Sequence, residues 1–359
     1  MIDNTSETVK LGKIAECFDI AGKFEDAKRY GEGHINVTYL VTTAKRRYIL
    51  QKMNTYVFRD PDALMNNICA VTAYLENRGV ETLHVVKTRD GKPIHKEDGE
   101  CWRMYDFIEN AFAYQSNIDA QILKKAGAAF GGFMCELSDF DASVLTESIS
   151  RFHDTPKRFA DFKAALAADS CNRAMNCGEE ISFFLERENT FGKVAEGLKS
   201  GEIPLRVTHN DTKLNNILMD KDTGEARAII DLDTVMPGSL LCDFGDSIRF
   251  GASTAAEDEE DLGKVHFSLE LFEAYAQGYV GAVKSCITKR EAELLPYGAY
   301  LLTSECGMRF LGDYLDGDKY FAVHKEGHNL IRARTQIKLA AEMWEKQDDM
   351  ARIIAECMK

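Results

Sequence analysis

The stretch VTHNDTKLNNILMD, residues 207–220, decides how the rest of the chain is read. It crowds His209, Asp211, Lys213, Asn215 and Asn216 into one polar segment between two apolar runs. Thr223-Gly224 then marks a turn, and RAIIDLD (227–233) reads as a β run ending on Asp231 and Asp233. A strand with a period of two would turn both carboxylates to one face. A hairpin linking the two runs would bring Asn216 close to Asp231. An amide and a carboxylate so placed make a hard-oxygen site suited to Mg²⁺, which takes one or two carboxylates and completes its shell with water and phosphate. Asp211 is left to accept a proton from an attacking hydroxyl, with His209 as a brace for the loop. An ordinary solvated Asx-rich hairpin would not need so ordered a spacing of H-x-D-x-x-x-x-N and D-x-D.

Upstream, GEGHINVTYLV (31–41) places Gly31 and Gly33 between two strand-like runs, where backbone N–H groups can approach phosphate oxygens. β runs are expected around 24–31, 36–43, 46–53, 83–88 and 101–109, with helices over 8–18 and 60–79. The second helix is punctuated by Pro61 and Gly79. From 117 onward, helical patterns cover 117–138, 157–170, 176–199, 264–284, 288–312 and 328–352, interrupted by β signals only at 205–233. This predicts an N-terminal nucleotide-binding lobe (1–109) and a helical C-terminal lobe (110–359) carrying the catalytic and acceptor sites. The acidic run at 257–261 reads as a solvated loop and helix start.

Length allows two domains, and the net charge of −14 offers no basic field for nucleic acid or anionic lipid. None of the ten cysteines falls in a C-x-x-C pair, and several lie in apolar helical patterns, so they read as free thiols in a reducing compartment rather than zinc ligands. With no apolar h-region near the start and no long apolar run, a soluble, cytoplasmic protein without membrane or nucleic-acid partners is expected.

Taken together, HNDTKLNN (209–216) and AIIDLD (228–233), in this order of elements, resemble the aminoglycoside phosphotransferase and choline kinase branch of the protein-kinase-like fold. Within it GEGHINVTYLVTT (31–43), IIDLDTVMPGSLLCDFGDSIRFGAS (229–253) and ECGMRFLGDYL (305–315) are similar to the N-acetylhexosamine 1-kinases, a likeness running from about residue 10 to 355. The resemblance implies an α+β, bilobal kinase-like fold with a small antiparallel-sheet N-lobe and a mostly helical C-lobe. It also implies ATP-dependent phosphorylation of the anomeric hydroxyl of N-acetylglucosamine or N-acetylgalactosamine, with Mg²⁺ as cofactor and ATP as co-substrate. Asp211 takes the base position and Asn216 and Asp231 the metal positions. Asp233 matches a second acidic residue acting through water or a second ion. YDFIEN (105–110) matches the hinge, so backbone groups of Asp106 and Ile108 are expected at the adenine edge. His34, Arg309 and Tyr320 match the residues that hold the sugar together with Asp211. A monomer or weak homo-oligomer is expected.

Two departures stand out. Kinase-like folds carry a strand lysine paired with a helix glutamate. Here the alternation of YILQKM (48–53) puts Gln51 on the nucleotide face and Lys52 on the other, both kept as nucleotide-binding candidates, and helix 60–75 contains no Glu. Lys213 is a second candidate to approach the γ-phosphate. Asn210 stands where many relatives carry Gly, a conservative exchange because Asn tolerates the left-handed region. The alternatives are the same fold acting on another alcohol (an amino alcohol, homoserine or an aminoglycoside), a haloacid-dehalogenase-type phosphatase suggested by IIDLDTV (229–235), or a pseudokinase. The absence of a βαβ pattern argues against the phosphatase, and retention of Asp211, Asn216 and Asp231 argues against the pseudokinase.

Overall fold

In a computed structural model, which describes residues 4–31, 35–114 and 119–359, the chain folds as two compact units. The first holds the chain to Phe112 and takes back Val144–Ile149 and Leu218–Val235. The second holds Ala113–Ser143, Ser150–Ile217 and Met236–Lys359. The chain therefore passes between units several times.

The first unit opens with α1 (Asn4–Ala15), then β1 (Phe24–Arg29), β2 (Val37–Thr43), β3 (Arg47–Lys52), α2 (Pro61–Asn77), β4 (Val85–Val86), β5 (His95–Glu97) and β6 (Glu100–Asp106). The sheet runs β1-β2-β3-β6-β4, with β5 on β6, and each of these pairings is antiparallel. Tyr48 and Leu50 of β3, with Trp102 and Met104 of β6, pack under Leu11, Ile14 and Phe18 in one apolar cluster. The intervening residues turn to the other face, and the register aligns Thr38, Gln51 and Arg103 in one row across β2, β3 and β6. α2 begins at Pro61 under an Asp60 cap, as Pro at the first turn favours. β7 (Ala111–Phe112) joins a separate three-stranded sheet.

The second unit contributes α3 (Ala120–Glu136), α4 (Thr155–Ala168), α5 (Gly178–Leu185), α6 (Lys193–Ser200) and β8 (Arg206–Thr208). β9 (Ile217–Asp220) and β10 (Ala226–Ile229) then form the hairpin that β7 extends, with Ala111 opposite Asp220. β11 (Met236–Gly238) pairs with β8, and α7 (Leu240–Gly251), α8 (Leu269–Val283), α9 (Lys289–Asp316), α10 (His328–Glu345) and α11 (Gln347–Cys357) complete the chain. Expected helix 176–199 is two helices, because Gly192 and the turn before it break the run between α5 and α6. Expected helix 328–352 breaks at Lys346, and α7 is a helix the periodicity did not reveal. α9 starts on a Thr288/Glu291 capping box and ends at Gly317, whose φ of 93° suits only glycine comfortably. α3 and α8 approach closely at Gly127, Gly131 and Gly278, where an added Cβ would overlap the partner helix's backbone. Among the described residues no helix is long and apolar enough to cross a membrane.

Candidate active site

The polar segment after β8 is held from below by α7. Asp243 lies in that helix's first turn with 3% exposure, and its carboxylate accepts the backbone N–H groups of His209 (2.8 Å) and Asn210 (2.7 Å). One turn on, Asp246 accepts the N–H of Thr212 (2.9 Å), and the Thr212 hydroxyl donates to the Asp243 carbonyl (2.7 Å). Burial pushes the Asp243 carboxyl up to about 6, against the opposing pull of His209 and the two N–H donors. Burial also works against ionisation of Asp246, but Arg249 at 3.1 Å and Lys213 outweigh it and hold its carboxyl below the ordinary range. These two aspartates were not singled out from the sequence. The available signal was a pair of carboxylates at i, i+3 inside the apolar run LLCDFGDSI, where only dedicated donors can compensate burial.

Above this floor, Asn210 takes φ of 64°, the left-handed turn expected of it. The His209 ring is fully buried, edge-on to Phe130 and Phe133, and its Nδ1 accepts the backbone N–H of Asp211 at 3.2 Å. The Asp211 carboxylate is fixed from both sides: Lys213 Nζ is 2.7 Å from Oδ1, and Asn216 Nδ2 donates to Oδ2 at 3.1 Å. Burial pulls the Lys213 ammonium down, yet Asp211 more than restores it, so it stays charged. Asn216 also donates to the Asp211 carbonyl (2.8 Å). Its amide nitrogen is thus committed, and its carbonyl oxygen is turned the other way.

In the first unit, β10 ends at Ile229, and Asp231 takes φ of 60° and ψ of 55° before a single 3₁₀ turn, Leu232–Thr234. The period-two argument for Asp231 and Asp233 therefore does not apply, because the backbone leaves the extended region before either residue. Asp is among the few side chains that enter the left-handed region readily. Asp233, a metal candidate from the sequence, is buried: its Oδ1 forms an ion pair with Arg103 Nη1 (2.5 Å), and Asn36 Nδ2 donates to Oδ2 at 2.6 Å. Asn67 of α2 donates to the carbonyls of Val235 (3.0 Å) and Thr146 (2.7 Å), tying down the far end of the turn.

Gln51 and Lys52 point to opposite faces of the sheet. Gln51 donates to Thr38 Oγ1 (3.0 Å) and accepts from Arg103 Nε (2.9 Å). Lys52, on the face the alternation assigned it, places its Nζ 2.6 Å from Glu100, which also takes Lys10. Glu76, the one glutamate of α2, pairs with His84. No strand-lysine to helix-glutamate pair therefore forms from these residues. Asp106 donates its N–H to the His84 carbonyl and Phe107 its own to Arg47, which sets the course of the segment before Ile108. Gly31 has φ of 71°, whereas Gly33 and His34 lie outside the described residues.

The two remaining acceptor-side candidates meet in the second unit. Arg309 of α9 lies beside the rings of Phe152, Tyr320 and Phe321, and its guanidinium reaches the Tyr320 hydroxyl at 3.5 Å. Asp313, one turn further along α9, accepts the N–H groups of Lys319, Tyr320 and Phe321 and so fixes the loop carrying that tyrosine. His153 pairs with buried Glu305 (2.8 Å), while Asp154 caps α4.

Residues 26–279, well over half the chain, match the model of the phosphotransferase enzyme family. The chain belongs to this family. The fold of this phosphotransferase is similar to those of several solved kinases. A microcompartment-associated aminopropanol kinase aligns at a TM-score of 0.60 and 14% identity, covering 96% of this chain and 98% of the other. A spectinomycin phosphotransferase, in complex with ADP and spectinomycin, aligns at 0.57 and 13%, covering 95% and 98%. A choline kinase from Cryptosporidium parvum aligns at 0.54 and 15%, covering 90% of each. The small antiparallel sheet and the helical remainder are accordingly those of the protein-kinase-like fold.

Within the second unit, the Asn216 amide is oriented by its bonds to Asp211 so that an oxygen, not a nitrogen, is presented, the kind of donor a hard divalent cation takes. Within the first, Asp231 offers a carboxylate, a donor of the same hard class, from a left-handed turn. Among the described residues no group of three or more His, Cys, Asp or Glu side chains clusters as a transition-metal site would. The ten cysteines are free thiols.

Proposed function

We propose that this phosphotransferase is a kinase that uses Mg²⁺·ATP to phosphorylate the anomeric C1 hydroxyl of N-acetylglucosamine or N-acetylgalactosamine. The observation that carries the reading is the Asp211 carboxylate, held by Lys213 and Asn216 on a loop whose backbone is anchored to two buried aspartates. A base on so rigid a mount is positioned for in-line transfer, where catalysis is mostly alignment and charge stabilisation.

On this reading Asp211 orients the sugar hydroxyl and takes its proton as that oxygen bonds to the γ-phosphorus and the bond from the γ-phosphorus to the β–γ bridging oxygen breaks, releasing ADP. Asn216 and Asp231 would hold the metal, which when bound neutralises charge on the β- and γ-phosphates. Gly31 and Gly33 would meet the phosphates, Gln51 faces the nucleotide side, and the segment at Asp106 and Ile108 meets the adenine. His34, Arg309 and Tyr320 hold the sugar.

The fold neighbour that acts on aminopropanol keeps the amino-alcohol reading as the alternative.

A panel of free sugars and amino alcohols with Mg²⁺ and ATP separates the two. N-acetylhexosamines should release ADP and yield an acid-labile, alkali-stable sugar 1-phosphate. Higher kcat/KM on aminopropanol, ethanolamine or homoserine would overturn the sugar assignment. Asp211→Asn should lower kcat by about 10²–10⁴-fold with nucleotide affinity retained, and near-normal turnover would remove Asp211 as the base.

A further inference from the structure

Arg103 sits on β6 with 1% exposure, opposite Gln51 of β3. Its Nε donates to Gln51 Oε1 (2.9 Å), its Nη1 lies 2.5 Å from Asp233 Oδ1, and its guanidinium carbon is 5.3 Å from the Tyr105 ring centre. The ladder extends both ways, because Gln51 donates to Thr38 on β2 and Asp233 accepts from Asn36, which precedes β2. Asn36 in turn accepts the backbone N–H of Asn54 at 2.9 Å. One buried guanidinium therefore links β3, β6 and the turn that begins at Asp231. Burial by itself would pull the Arg103 charge down; Asp233, and more weakly Asp231, more than reverse this and hold it charged.

A cation this deeply buried does not reach a nucleotide phosphate, so it cannot stand in for the missing strand lysine by direct contact. A buried arginine is nevertheless well suited to fixing a carboxylate, since its planar fork holds position as well as charge. We infer that Arg103 is a positioning residue: by binding Asp233 it holds the left-handed turn at Asp231 on the sheet, and by occupying Asp233 it leaves Asp231 as the carboxylate of the pair that faces the metal. Asp233 thus acts behind the metal site rather than in it. Partners of this kind commonly change metal affinity by 10- to 100-fold.

The inference rests on the kinase reading, and Mn²⁺ binding to the ADP complex, followed by electron paramagnetic resonance, tests the two separately. Wild-type protein that binds no Mn²⁺ in the presence of ADP overturns the kinase reading itself. If wild type binds, Arg103→Met should raise the Mn²⁺ Kd by about 10- to 100-fold while ADP binding without metal, measured calorimetrically, is unchanged. Arg103→Lys should recover part of the loss, which a purely structural role would not produce. If Asp233 were itself a ligand, releasing it from Arg103 would leave Mn²⁺ affinity the same or tighter, and a folded Arg103→Met protein showing this overturns the inference. Should Arg103→Met fail to fold, Arg103→Lys and Asp233→Asn carry the test. Each should weaken Mn²⁺ binding, and the double variant should be no weaker than the worse single. Independent, additive effects, or an Arg103→Lys protein that binds as wild type, overturn it.

Discussion

Asp243→Asn separates the stability of the mount beneath His209 and Asn210 from its geometry. The aspartate is pushed up to about 6 by burial, so at neutral pH its ionised form costs the folded state roughly 3 kcal/mol relative to a carboxyl at its ordinary value. An isosteric amide removes that cost. It also turns an N–H donor toward one of the two backbone N–H groups the carboxylate now serves, losing a charge-assisted bond worth roughly 1.5–3 kcal/mol and stranding a donor for about 1–3 more. The two effects nearly cancel, so stability at pH 7 should change by no more than about 3 kcal/mol. The geometry does not cancel: His209 or Asn210 loses its anchor beside Asp211, and a displacement near 1 Å can cost about 10²-fold in kcat.

The sign with pH is decisive. An acid whose pKa is raised on folding stabilises fully below its unfolded value, and that contribution is lost as pH rises through the folded value. Wild type should therefore gain on the variant by about 2 kcal/mol between pH 7 and pH 4.5. Denaturant unfolding of both proteins at the two pH values reads this difference. A wild-type-to-variant gap that is the same at both would refute the buried, ionised Asp243.

Two further outcomes follow from the second unit. Arg309→Ala should raise KM for the acceptor sugar by about 10- to 100-fold, the worth of one charge-assisted hydrogen bond, with KM for ATP within about twofold in steady-state kinetics. The reverse pattern would move Arg309 out of the acceptor site. On α8, Gly278→Ala places a methyl against the backbone oxygen of Lys124, whereas Gly281 three residues on faces open space. The first should lose about 3 kcal/mol or more and the second gain up to about 1 kcal/mol, and equal effects in thermal unfolding would mean that α3 and α8 do not meet at Gly278.

The sequence disclosed those features whose cause is local. The Pro61 start of α2, the Gly31 turn and the left-handed Asn210 each follow from what one residue can do with its own backbone. Periodicity also separated a sheet-rich beginning from a helical remainder. Reasoning failed where the cause was distant. β3 meets β6 because β4 and β5 are set outside them, so the row Thr38, Gln51, Arg103 exists only once that order is known. Asp231 looked like a strand end because Ala226–Ile229 is one, and nothing local announced that the chain would turn left-handed immediately after it. α7 was missed because its two aspartates interrupt the apolar pattern of the run, and those same aspartates hold the loop that was read correctly as polar.

The missing strand lysine is best understood through where the remaining cations are held. In this acidic chain each cation considered for the nucleotide side already has a carboxylate partner: Lys52 has Glu100, Arg103 has Asp233 and Lys213 has Asp211. Lys52 faces away from the row containing Gln51, and Arg103 is sealed inside the unit, so neither can answer a phosphate. Lys213 differs. Its side chain remains about 41% exposed, and its partner is the proposed base. A phosphate arriving near that ammonium would compete with Asp211 for it, loosening one of the two contacts on the carboxylate while the Asn216 contact persists.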